Sequence, residues 1–271
     1  MKKLKIWSIM MLIVMALPMM VACGGDNDGV DNTINGSNKG KRISMIVEEH
    51  GNTITESVFA YDSQNRIVKV VSTEKDETPS VKTITYTYGE TFIKEKKVIK
   101  GRNRSNNPYT NEYYYEYTLS NGLITGMTDK SNNTSSNFSV KFTYDPNGYL
   151  VKYDEGYQIS TLEWTSGNLV GIEILSPYNN TSTFYNYSYS STPWMKGYCF
   201  DINYPDKYLT SQGYFGRLPQ TLPSKEVRES QTMGVGGYEY NYEYRFTDGL
   251  LTKVTKTRDD GYIRFENITW E

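Results

Sequence analysis

The run Tyr238-Glu239-Tyr240-Asn241-Tyr242-Glu243-Tyr244-Arg245-Phe246 places an aromatic ring at every even position and a polar group at every odd one. Successive side chains of a strand point to opposite faces, so this spacing gathers the rings on one face and the charges on the other. A helix would scatter both sets around its surface. Phe138, Val140, Phe142 and Tyr144, alternating with Ser139, Lys141 and Thr143, repeat the pattern. All 25 tyrosines lie at or beyond residue 61, and tyrosine suits pleated, half-buried surfaces. The ladders read as the core face of a sheet; the sharper alternative is that some rings line an open concave face and stack on sugars.

Between such runs one phrase recurs: an aromatic strand end, a turn of Asp, Asn, Ser or Gly, then a Leu or Ile opening the next strand. Phe59-Ala60-Tyr61-Asp62-Ser63-Gln64-Asn65-Arg66-Ile67 and Phe142-Thr143-Tyr144-Asp145-Pro146-Asn147-Gly148-Tyr149-Leu150 carry it in full. Leu119-Ser120-Asn121-Gly122-Leu123-Ile124, Trp164-Thr165-Ser166-Gly167-Asn168-Leu169 and Phe246-Thr247-Asp248-Gly249-Leu250 carry shorter forms. Asn-Gly, Ser-Gly and Asp-Gly supply the positive φ angles that tight hairpins need. A return every roughly 20–30 residues, one hairpin at a time, marks a repetitive β array. With short connections throughout, the expected fold is all-β: an antiparallel up-and-down meander, strongly curved or closed into a barrel. Roughly 14–17 strands in sequential order fit residues 41–271 as a single domain, ending on a strand in "IRFENITWE".

The phrases "FTYDPNGYLVKY" and "FAYDSQNRIVKV" resemble the YD repeats of Rhs-type proteins. Together with the N-terminal features below, they resemble Bacteroidetes lipoprotein families of unknown function described as having a porin-like fold. That resemblance implies a many-stranded meander on a lipid anchor and brings no catalytic residues with it. It does not imply a membrane pore, because the strand faces carry Lys, Glu, Arg and Asp where a lipid-facing wall needs an apolar band.

The N-terminus reads as an export signal over residues 1–22. A basic start (Lys2, Lys3, Lys5) leads into an apolar stretch from Ile6 to Met20, shorter than the roughly 20 residues that span a bilayer. Met20-Val21-Ala22-Cys23 resembles the bacterial lipobox, which implies a diacylglyceryl thioether on Cys23 and acylation of its amine. Two or more acyl chains at about 0.8 kcal/mol per buried methylene give durable anchoring. Residues 24–40, "GGDNDGVDNTINGSNKG", hold almost no apolar surface and read as a flexible tether with a reach of about 20–25 Å. Asp26 and Asp28 resemble the acidic export signal of Bacteroidetes surface lipoproteins, so the expected location is the outer membrane, facing outward. Loss of the signal with its three lysines takes the formal charge from −2 to −5, which argues against nucleic acid as a partner. With Cys23 lipidated, Cys199 has no partner and reads as a buried structural thiol.

One stretch breaks the rhythm. Residues 191–224 hold Pro193, Pro205, Pro219 and Pro223 and show no clean alternation. Prolines are foreign to central strands, so this is an aromatic-rich insert, with a short helix expected around Asp206 to Gln212, packed as a plug or lid over the sheet. Trp194, Tyr208, Tyr214 and Phe215 are its candidate ligand-binding rings; as such, some stay exposed and line a groove.

Catalytic chemistry finds little to work with. His50 is the only histidine and reads as a solvated turn residue in "EEHGNT"; G-x-S-x-G is absent. One histidine and two cysteines leave no zinc set, no phosphate-cradling loop or EF-hand spacing occurs, and no cofactor is expected. Glu112 with Glu116, and Glu239 with Glu243, share a strand face but lie about 13 Å apart, too far for a glycosidase pair. Asp154-Glu155-Gly156 and Asp259-Asp260-Gly261 are acidic turns with a weak calcium signal. The expectation is a non-catalytic binding module capturing a glycan or peptide; the alternative is a structural or adhesion scaffold contacting another envelope protein.

Overall fold

Turn chemistry sets where the chain reverses. The structure is a computed structural model and describes residues 40–76, 78–103, 105–131, 139–200, 205–231 and 236–271. The signal segment, Cys23 and the tether up to residue 39 lie outside the described residues, as does Phe138. The Asp62 carboxylate accepts from the Gln64 and Arg66 amides at 2.9 and 3.0 Å, and Asp145 from those of Asn147 and Tyr149 at 3.0 and 2.8 Å. A side chain that satisfies the backbone this way ends an extended run. Asn121-Gly122, Ser166-Gly167 and Asp248-Gly249 hold both residues at φ between 50° and 77°, the geometry of a two-residue hairpin loop.

The strands so separated are β1 (Ile43–His50), β2 (Thr53–Tyr61), β3 (Ile67–Lys75), β4 (Ser80–Tyr88), β5 (Phe92–Arg102) and β6 (Pro108–Ser120). Next come β7 (Leu123–Asp129), β8 (Ser139–Tyr144), β9 (Leu150–Asp154), β10 (Ile159–Thr165) and β11 (Asn168–Ser176). The last are β12 (Thr181–Pro193), β13 (Thr221–Ser230), β14 (Tyr238–Thr247), β15 (Leu250–Arg258) and β16 (Ile263–Trp270). Each pairs antiparallel with its sequence neighbours, and β1 pairs with β16. The meander expected from the sequence is therefore a closed barrel, with sixteen strands among the described residues.

Closure brings every even-to-odd turn to one end, and there the recurring phrase acquires a structural meaning. Ile43, Ile67, Ile93, Ile124, Leu150, Leu169, Leu222 and Leu251 stand at the starts of the odd strands, each at most 2% exposed. Ile67, Ile124, Leu150 and Leu169 are the Leu or Ile of the phrase, and Leu251 takes the place expected for Leu250. Ile43, Ile93 and Leu222 hold the same position on strands that the phrase did not mark. The rings that close the even strands lean back over them. Hydroxyls of Tyr61, Tyr88, Tyr144, Tyr189 and Tyr244 donate to the carbonyls of Ile43, Ile67, Ile124, Leu169 and Pro223 at 2.6–2.7 Å. The indole N–H groups of Trp164 and Trp270 do the same for Leu150 and Leu251 at 2.8 and 2.7 Å. In β6 Leu119 takes the place and no such bond forms. Register shifts opposite Tyr61, Tyr144 and Trp164 place an extra residue in the odd strand (Val68, Val151 and Val170), which turns its opener inward. Ile67, Leu150 and Leu169 are thereby buried together with Val70, Tyr153 and Ile172 three residues on.

A wall of sixteen strands is too wide for its own side chains to fill. Residues 194–200 and 205–220, between β12 and β13, fill it at the end that carries these turns. The plug is shorter than the insert expected from sequence, because Pro193 and Pro223 belong to β12 and β13. Both sit beside register shifts, at Tyr189/Pro193 and Ser188/Tyr189, where a missing N–H costs little ladder bonding. The expected helix is present as α1 (Lys207–Ser211), capped by Asp206, whose Oδ1 accepts from the Tyr208 and Leu209 amides at 2.8 and 2.9 Å. Tyr198, Cys199, Phe200, Tyr208, Leu209 and Phe215 of the plug are at most 5% exposed and merge with the wall into one core.

The outward face is polar. Lys69, Lys96, Lys141, Glu163, Glu243 and Arg245 are exposed mid-strand. Glu112, Glu116 and Glu239 pair there with Lys96, Lys94 and Lys225 at 3.1, 3.8 and 2.7 Å. These carboxylates form a solvated, cation-paired surface.

Candidate functional site

At the plugged end the insert rings are consumed in docking. Tyr208 meets Phe59 edge-on with centroids 5.7 Å apart, and Phe215 meets Phe142 at 5.1 Å and Tyr117 at 6.4 Å. At 5% and 1% exposure, neither Tyr208 nor Phe215 presents a ring face to solvent. Tyr214 stacks on Tyr88 at 5.7 Å and Trp194 meets Phe200 edge-on at 5.8 Å, both half-buried. Backbone bonds follow the rings: the Ile67 N–H donates to Gln212 Oε1 at 2.9 Å, and the Ile124 N–H to the Tyr214 carbonyl at 2.9 Å. Cys199 is buried 3.4 Å from Ser211 Oγ. Burial pushes its thiol up to about 11, leaving it protonated and unreactive at neutral pH.

Beneath this apolar layer the lumen turns charged. Glu95 on β5 and Asp206 of the plug lie against each other, so that each carboxyl bears on the ionisation of the other. Tyr117 donates to Glu95 Oε2 at 2.7 Å and Tyr86 to Asp206 Oδ2 at 2.7 Å. Burial, then the charge of Asp206, pushes the Glu95 carboxyl up to about 7, and burial raises Asp206 as well. Two neighbouring buried carboxyls ionise together only at high cost, which favours a single shared proton and one charge on the pair. Lys207 reaches Glu48 on β1 at 2.9 Å. Lys256 pairs with Glu266 at 3.1 Å, and Tyr198 donates to the same carboxylate at 2.6 Å. Burial pushes the Glu266 carboxyl up, but Lys256, Lys207 and the Tyr198 hydrogen bond outweigh it and hold the group below the usual range. These contacts fasten plug to wall. The signal for them was present in Ile93-Lys94-Glu95-Lys96-Lys97-Val98-Ile99, where alternation puts Glu95 and Lys97 on the face of Ile93.

At the opposite end, β13 to β15 border a cavity of about 800 Å³ lined by Arg228, Gly236, Gly237, Tyr238, Arg258, Asp259 and Asp260. Sheet register sets Tyr185, Arg228 and Tyr238 side by side on three adjacent strands, all facing the lumen. The Arg228 guanidinium lies 5.9 Å from the Tyr185 ring centroid and 5.5 Å from that of Tyr238. Its Nε is buried without a hydrogen-bond partner, and no carboxylate pairs with it among the described residues. A buried donor left unpaired costs about 1–3 kcal/mol, a cost that a bound acceptor would remove. Its neighbours are already engaged. Glu226 accepts from Tyr242 at 2.7 Å and from Tyr238 at 3.2 Å, and Arg258 grips Asp260 through both Nε and Nη2. His50 stands on this rim against Tyr262 at 5.0 Å. Burial, then Arg264 and Arg258, hold its imidazole below the usual range, so it is neutral at pH 7. No cluster of three metal-ligating side chains occurs among the described residues.

No protein-family model matches the chain, and no curated protein sequence does. Among solved structures the chain is similar to the crystal structure of a porin-like protein from Bacteroides vulgatus, with 12% identity and a TM-score of 0.46. That likeness covers 85% of this chain and 99% of the other.

Proposed function

We propose that the protein is an outer-membrane lipoprotein, anchored through Cys23 and facing outward, whose barrel captures a glycan without converting it. The observation that carries this reading is the asymmetry of the lumen. One end is filled by its own chain, while the other offers a cavity bordered by the Tyr238 ring and by the Arg228 guanidinium, which has no counter-charge among the described residues. Tyrosine presents an apolar face with a hydrogen-bonding rim, which suits a sugar ring.

The wall supports attachment through a lipid. Outward lysines and arginines at mid-strand would each cost roughly 2–4 kcal/mol at a bilayer midplane, so this wall belongs in water. Intact-mass measurement on the mature protein should show acyl chains on Cys23; an unmodified N-terminus at residue 23 or later overturns the anchor. The purified full chain in mild detergent, applied to a polysaccharide and peptide array, should retain at least one glycan. Tyr238→Ala should weaken that retention by about tenfold, as loss of one stacked ring does, with little change in melting temperature. Retention of peptides alone, or of no glycan alongside capture of one envelope protein, overturns glycan capture, the latter in favour of the scaffold reading.

A further inference from the structure

We infer that the captured glycan is acidic: the row Tyr185–Arg228–Tyr238 is a subsite for the carboxylate of a uronic acid residue. This rests on the glycan-capture reading and names the chemistry that the site selects. Arginine is the side chain whose planar fork matches a carboxylate with two parallel hydrogen bonds. Here the fork lies between two tyrosine rings, at 5.9 and 5.5 Å, which hold the guanidinium in place before any ligand arrives. Its Nε is buried and unsatisfied although the group borders a cavity.

The protein's own carboxylates do not fill the vacancy. Glu226, two residues along the same face, takes the Tyr242 and Tyr238 hydroxyls, and Asp260 takes Arg258. Arg264 on β16 alternates in step with the buried Ile268, faces the lumen, and adds positive potential from the far side of β15. A sugar fits better than an acidic peptide for a topological reason. Extended peptides bind sheets by adding a strand to a free edge, and a closed barrel has none. The Tyr238 ring, which lines the cavity, instead offers a stacking face beside a charged anchor.

The test is calorimetric titration of the full chain in mild detergent with tri-galacturonate and with its fully methyl-esterified form. The free acid should bind about tenfold or more tightly than the ester, and the difference should shrink with added salt. Arg228→Gln should abolish the preference, and Arg228→Lys should restore only part of it. Equal affinity for acid and ester overturns the inference while leaving glycan capture standing. Binding of neither sugar, with glycan retention on the array absent as well, removes both readings. Tighter binding of an acidic hexapeptide than of either sugar also overturns it. The acid–ester comparison uses the unaltered protein, so it decides even where the Arg228 variants fold poorly.

Discussion

A chain in which residues 194–220 are replaced by a short Gly-Asn turn should lose cooperative folding. The splice is geometrically easy, since Pro193 and Thr221 already face each other across β12 and β13. What fails is the interior. Tyr198, Phe200, Tyr208, Leu209 and Phe215 are nearly inaccessible, and full burial of each large apolar side chain is worth about 1.5–3 kcal/mol. Five of them sum to something near the whole net stability of a domain, about 5–15 kcal/mol. The eight aliphatic strand openers would face an empty lumen too wide to collapse across. Urea unfolding followed by circular dichroism should show a broad, non-cooperative change, and limited proteolysis should cut throughout the wall. A sharp transition near that of the parent chain would show that the wall stands alone and that the plug is an accessory.

Raising pH from about 4.5 to about 7 should destabilise the protein, and Glu95→Gln should reduce that loss. The sign follows from which state holds the proton. Glu95 is pushed up to about 7 in the fold, chiefly by burial and then by Asp206, against an unfolded value near 4.5. Between those limits the folded chain keeps a proton that the unfolded chain releases, so stability falls as pH climbs, then levels off. Each unit of displacement is worth about 1.4 kcal/mol, which puts the loss on the order of a few kcal/mol. Tyr117 on β6, Tyr86 and Lys82 on β4 and Lys97 on β5 also face the pair. Their hydrogen bonds and positive charges temper the effect without reversing it. Glu266 acts in the other direction and in a separate window, since its depressed carboxyl loses stabilisation only as pH falls below the ordinary carboxylate range. The side-chain amide that Glu95→Gln introduces would keep a donor toward Asp206 and an acceptor for Tyr117 with no proton to lose. Between pH 5 and pH 8 the melting temperature should therefore fall further for the parent than for the variant, whose remaining slope comes from groups such as His50 and Glu155. Glu112→Gln on the outer face serves as control. Identical slopes in parent and Glu95→Gln would rule out the shared proton.

The division between what sequence determined and what tertiary structure decided follows the range of the interactions involved. Alternation along Tyr238–Phe246 and the Asp-Gly, Asn-Gly and Ser-Gly turns act within a few residues, so strand content, hairpin positions and the Asp206-capped helix were legible directly. The same locality made the Leu or Ile after each turn recognisable as a repeat before its burial was known. Parity, however, says only that a residue faces one side or the other. It left open that the sheet closes on itself, that eight openers meet at one level, and that seven rings reach back to the preceding strand. The insert showed the same limit: its aromatic content announced a covering role, but whether Tyr208 and Phe215 faced solvent or the lumen depended on a barrel width set by all sixteen strands. Glu95 with Asp206, and Tyr185 with Arg228 and Tyr238, come together only through docking of the plug and register between strands separated by long stretches of chain. Local chemistry dictated the elements; closure of the wall dictated which of their side chains would meet, because register and lumen diameter belong to the whole ring and to no segment of it.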